Sequence, residues 1–188
     1  YGGSFIHWLH SDRPQPYNSW GNGSAMRVSP VGFAFSSAEQ VLQQARMSAE
    51  ISHNHPEGIK GAQATALAVF LARQGIEKEG IRGEITRRFG YNLNRRMEDI
   101  RPDYVLDVSC QGTVPEALIA FFDAHSYVDA VRNAVSLGGD SDTLACITGG
   151  VAEAFYGGVP DHIQRQVSLR VPQEFLTTIE AFQKKYGE

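Results

Sequence analysis

The chain has 188 residues, 42% hydrophobic and 20% charged, enough for a single domain with a sizeable core. A net charge of -4 argues against a general binder of nucleic acid or anionic membrane, since those surfaces demand an excess of Lys and Arg. No apolar run approaches the ~18 residues that span a bilayer and no signal-peptide pattern is present, so the expected setting is cytoplasmic and reducing. The two cysteines, Cys110 and Cys146, lack zinc or redox spacing and fit that setting.

Helical periodicity dominates, and residues 1–188 are expected to form one all-α, multi-helix domain. The chain opens at Tyr1 within an apparent helix running to His10, which suggests that a further segment precedes it. Residues 11–22 read as a connection. They lead into Ser19-Trp-Gly-Asn-Gly-Ser-Ala-Met-Arg27, a glycine-interrupted turn feeding a helix. Backbone N–H groups at such a turn, with Ser19, Asn22 and Ser24 nearby, suit a phosphate or diphosphate, and Trp20 offers a flat face for a base. The competing reading makes Trp20 a core anchor and the glycines an ordinary turn. No Gly-Lys-Ser/Thr follows, so this is not a Walker A loop.

Phe33 to Phe35 is ambiguous between strand and helix. A helix is expected over 38–51, with Ser36 or Ser37 as its cap, and a second from Pro56 to Arg73, whose small residues Gly61, Ala62, Ala64, Ala66 and Ala68 permit close packing. Between them lies Ser52-His-Asn-His-Pro-Glu57. Its His-x-His pair lacks the partners of a zinc protease, because the positions that would need Ser and Asp are Gln63 and Ala66. His53 therefore reads as a neutral hydrogen-bonding group near a ligand or loop, and His55 as a helix cap or solvent-facing residue.

Further helices are expected over 78–89, 114–124, 126–136, 141–156 and 172–186, with 90–103 and 109–113 as loops and 104–108 as a possible short strand. The richest motif is Ser136-Leu-Gly-Gly-Asp-Ser-Asp-Thr143. Two glycines allow close backbone approach, and Asp140, Asp142 and Thr143 gather hard oxygens at a helix start, as a divalent cation requires. Adjacent carboxylates also repel unless a cation relieves them. Simple capping is the alternative. An EF-hand loop is excluded, since Leu144 and Ala145 follow where further ligands would be needed.

Taken together, Trp20-Gly-Asn-Gly-Ser-Ala-Met-Arg27, Ser52-His-Asn-His-Pro-Glu-Gly-Ile-Lys-Gly-Ala62, Ser109-Cys-Gln-Gly-Thr-Val-Pro-Glu-Ala117 and Ser136 to Thr143 resemble, in order, the ADP-ribosyl glycohydrolases of the type that reactivates ADP-ribosylated dinitrogenase reductase. The resemblance implies an all-α domain with a cleft, a binuclear magnesium site and hydrolysis of ADP-ribose from modified protein side chains or a related ADP-ribose derivative. It implies metal ligation by Asp140, Asp142 and Thr143. Contacts to the diphosphate and adenosine portions fall to Ser19, Trp20, Gly21, Asn22, Gly23 and Ser24, with His53 close by and Cys110 to Val114 as another wall. The family's second acidic motif, Thr-Asp-Asp, has no match in residues 1–188, so the catalytic acid and half of the carboxylate charge are expected in a segment outside them. Two alternatives follow: a non-catalytic ADP-ribose or nucleotide-binding module, and a structural relative resembling a jellyfish lens crystallin.

Overall fold

The longest helix, α5 (Pro56–Arg73), is apolar on nearly every side and lies at the centre of the molecule. His55 caps it, its Nδ1 accepting from Glu57 N at 3.1 Å, and Pro56 occupies the first turn, where a missing N–H costs nothing. The computed structural model describes residues 2–187. Tyr1 lies outside them.

Five helices pack directly around α5: α2 (Gly23–Met26), α3 (Ser29–Ala34), α4 (Ala38–Glu50), α6 (Lys78–Phe89) and α8 (Cys110–Phe122). A sixth, α10 (Ser141–Tyr156), lies against α5, α8 and α9 (Tyr127–Ser136). The short α7 (Met97–Ile100) rests on α8. By contrast α1 (Gly3–Leu9), α11 (Asp161–Ser168) and α12 (Gln173–Tyr186) bury no residue and lie on the outside. Leu67, Phe121, Leu118, Ile119, Leu144 and Ile147 are among the fully enclosed side chains of the core. No helix among the described residues is long and apolar enough to cross a membrane.

The all-α expectation holds: no strand occurs among the described residues, and 104–108 is irregular. Gly21 and Ser109 form an isolated antiparallel bridge. Phe33 falls in α3, and Ser37 is the residue that caps α4, its Oγ accepting from Gln40 N at 3.3 Å.

Two expected loops contain helix. Residues 90–103 include α7, and 109–113 are the cap and first turn of α8: Ser109 Oγ accepts from Gly112 N at 3.1 Å. Pro115 sits inside α8 and withholds one intrahelical donor, which made the sequence read as a helix beginning only there. The carbonyl left without that donor belongs to Gln111, an exposed residue in the first turn, where water can pair with it. The eight-residue α11 was not anticipated; its apolar positions are few and none is buried.

Candidate functional site

Close backbone approach builds the site. A Cβ on Gly58 would lie 2.6 Å from Ser19 O and 3.0 Å from His53 O, and one on Gly61 would lie 2.5 Å from Cys110 Sγ. The glycine face at the start of α5 thus admits three separate segments at once: the Ser19–Ser24 turn, the histidine segment and the start of α8. Backbone bonds fasten the turn, with Asn22 N donating to Val108 O and Cys110 N to Trp20 O, both at 2.8 Å.

Asn22 joins the turn to the acidic motif. Its Nδ2 donates to Asp140 Oδ2 at 2.6 Å and to Thr113 Oγ1 at 2.9 Å, and Thr113 Oγ1 in turn donates to Asp107 O at 3.1 Å. Asn22 and Thr113 are both buried, so neither donor is lost to water. Asp140 occupies the cap position of α10 yet makes no side-chain capping bond. Its carboxylate is therefore committed to Asn22 rather than to the helix. Gly138 and Gly139 precede it with φ of 74° and 59°, left-handed values that side chains rarely adopt, and they turn the chain so that Asp140 faces Asn22. Tyr104 leans on this turn: a Cβ on Gly139 would come within 3.0 Å of its ring. Burial, and then Asp107, Glu116 and Asp140, push its phenol up to about 12.

Asp142 is exposed, its Oδ1 accepting from Thr143 N at 3.0 Å. Its carboxyl lies below the ordinary value, first through hydrogen bonding with Asp140 and then with the Thr143 backbone. Thr143 is buried, and its hydroxyl is directed at Met26 Sδ, 3.6 Å away. The all-oxygen set of Asp140 and Asp142 fits a hard divalent cation. Among the described residues, however, no three His, Cys, Asp or Glu side chains gather as a metal site. Asp140 and Asp142 therefore bring two acidic side chains to the turn, fewer than a divalent ion with an all-oxygen shell needs.

His53 stands behind the turn, buried, with Nε2 3.5 Å and 3.3 Å from where Cβ atoms on Gly21 and Gly23 would be. Burial, and then the Arg27 charge, lower its pKa to about 4, so the ring is neutral near pH 7. Trp20 is 52% exposed, with its ring edge-on to His55 at 5.5 Å. It is no core anchor. Ser19 is partly exposed and its Oγ accepts from Gly21 N at 3.1 Å. Ser24 is different: fully enclosed, it donates to Gly58 O at 2.8 Å and pins the turn to α5. Cys110 is likewise an inner residue, with Sγ donating to Gly21 O at 3.1 Å and burial pushing the thiol up to about 11.

The four separated motifs thus meet in one place, and the comparisons agree. A family model described as ADP-ribosylglycohydrolase matches residues 2–186. The chain belongs to the ADP-ribosylglycohydrolase family. Among relatives, mouse ADP-ribosylhydrolase ARH3 is 29% identical over 184 residues, covering 74% of this chain and 50% of its own. The ADP-ribosylarginine hydrolase Tri1 of Pseudomonas putida (strain GB-1) is 28% identical over 153 residues, covering 74% and 40%. The ADP-ribosyl-[dinitrogen reductase] glycohydrolase of Rhodospirillum rubrum is 25% identical over 187 residues, covering 94% and 60%. A solved structure titled ADP-ribosylglycohydrolase-related protein complex superposes with a TM-score of 0.66 at 26% identity, over 84% of this chain and 59% of that one. This family member spans about half the length of the curated relatives it matches.

Asp107, Tyr104, Ser52 and Arg27 are site residues that the sequence did not single out for a role, and Thr113 was expected only as part of the wall from Cys110 to Val114. Thr113 and Asp107 act only through the folded contact with Asn22. For Ser52 the adjacent Ser52-His53 pair was the available signal, and the half-buried Arg27 joins it only in the fold.

Proposed function

We propose that the chain forms the nucleotide-holding part of an enzyme that removes ADP-ribose from modified protein side chains or a related ADP-ribose derivative. The Asn22–Asp140 hydrogen bond carries this reading, since it ties a phosphate-suited glycine turn directly to the acidic helix start. Family membership and relatives named as ADP-ribosyl hydrolases support it.

In this reading Ser19, Trp20, Gly21 and Gly23 meet the diphosphate and adenosine portions of the ligand, and Ser24 holds the turn on α5. Asn22 orients Asp140 beside Asp142. Asp140, Asp142 and Thr143 belong to a binuclear magnesium site. Two such ions take about six oxygen ligands each, so the remaining carboxylates and the catalytic acid come from sequence beyond this chain, in keeping with its half-length coverage of relatives. Held there, magnesium would supply orientation of the ribose hydroxyls and activation of water. The two aspartates also favour developing oxocarbenium character at the anomeric carbon. The two free thiols, Cys110 and Cys146, suit a reducing, cytoplasmic setting.

Asp142→Ala in the full-length protein is expected to abolish release of ADP-ribose. Unchanged turnover contradicts the proposal. Among the described residues no third acidic side chain joins Asp140 and Asp142 as a metal-holding group, which favours a second reading for this chain in isolation: a module that binds ADP-ribose without hydrolysing it. Binding independent of magnesium, with no release in the full-length protein, selects that reading.

A further inference from the structure

Behind the glycine turn lies a relay whose proton positions follow from counting donors. Arg27 is half-buried beneath the turn and donates Nη2 to Ser48 O at 2.9 Å and to Ser52 Oγ at 3.1 Å, and Nη1 to Gly23 O at 3.3 Å. Ser52 Oγ stands 2.8 Å from His53 Nδ1, and both residues are buried. A guanidinium can only donate, so one lone pair of Ser52 Oγ is taken by Arg27. The hydroxyl hydrogen needs an acceptor, and His53 Nδ1 is the one in reach. Were Nδ1 protonated instead, the Ser52 hydroxyl would be a buried donor with no acceptor, an arrangement that folded proteins avoid. Nδ1 therefore accepts, and in a neutral ring the proton resides on Nε2.

Nε2 has no hydrogen-bond partner among the described residues, and it faces the space left open by the missing side chains of Gly21 and Gly23. We infer that Arg27, acting through Ser52, locks His53 in the Nε2–H tautomer and aims that single donor at an anionic, phosphate-type oxygen lodged in the glycine turn. The inference rests on the proposed reading of the turn as a ligand site. Arg27 and Tyr17, whose ring centroid is 6.0 Å from that of His53, are the titratable groups facing the imidazole. Both the arginine charge and burial keep the ring neutral, so the donor is a permanent N–H rather than a titrating cation. Arg27 and Ser52 are positioning residues in this scheme.

Long-range proton–nitrogen NMR of the nitrogen-15-labelled chain at pH 7, with His53 assigned through His53→Gln, tests it. The expected spectrum has an unprotonated Nδ1 and a protonated Nε2 at His53. Ser52→Ala is expected to give a mixture of tautomers and to weaken ADP-ribose binding about tenfold, whereas Ser52→Thr, which keeps the hydroxyl, restores both. A proton on Nδ1 in the unaltered chain, or an unchanged tautomer in Ser52→Ala, overturns the inference. Inorganic pyrophosphate and ADP-ribose are then added separately. A shift of the Nε2–H resonance with either supports the donor role, and no shift with both overturns it. A shift with pyrophosphate alone upholds the relay while counting against the proposed function.

Discussion

At the scale of single residues, Asn22 is the hinge between two motifs separated by more than a hundred positions in sequence. Its amide nitrogen uses both hydrogens, one on Asp140 and one on Thr113. Asn22→Ala removes both donors without adding a competing group. The expected result is a loss of ~1–2 kcal/mol in chemical denaturation and a marked fall in ADP-ribose affinity by calorimetry. His53 makes a second prediction, in pH. Its folded pKa, about 4, is below the ordinary 6.5, so between those values the unfolded chain binds more protons than the folded one. The His53 contribution to stability is thus complete above pH 6.5, declines as pH falls toward 4 and is lost below it. Denaturation midpoints across that window are expected to fall with pH, and the fall is expected to be shallower in His53→Gln.

At the scale of elements, α5 decides what can approach what. Gly58→Val would drive a branched side chain into Ser19 O and the His53 backbone, at an expected cost of ~1–3 kcal/mol, and would displace the ligand turn as well. Gly83, in the middle of α6, has nothing within 4 Å of a built Cβ, so Gly83→Ala is expected to stabilise by ~0.5–1 kcal/mol. Thermal denaturation of the pair checks both signs. The same elements show what sequence could and could not convey. The helices α4, α5, α9 and α10 announce themselves through caps and apolar spacing, as with Ser37 before α4 and Pro56 at the start of α5. The start of α8 did not, because Pro115 looks like a helix beginning and hides the true cap at Ser109. At the site, the glycine and aspartate strings were visible as strings. That Ser24 faces inward, and that Thr113 completes the Asn22 bridge, depends on tertiary packing that no local pattern encodes.

At the scale of the whole molecule, the packed helices around α5 hold the glycine turn, His53 and the acidic turn together, while α1, α11 and α12 remain on the periphery. The chain covers about half the length of relatives such as mouse ARH3, and among the described residues no third acidic side chain joins Asp140 and Asp142 as a metal-holding group. Calorimetry of this chain with magnesium is accordingly expected to show weak binding or none, and tight binding of two ions would refute the shared-shell account. The most direct measurement is a titration of ADP-ribose followed by the fluorescence of Trp20, with Trp8 replaced by Phe so that one indole reports. A saturable change that is lost in Asn22→Ala is the predicted result. An emission spectrum indifferent to ADP-ribose, with and without magnesium, would contradict the claim that these segments form one nucleotide site.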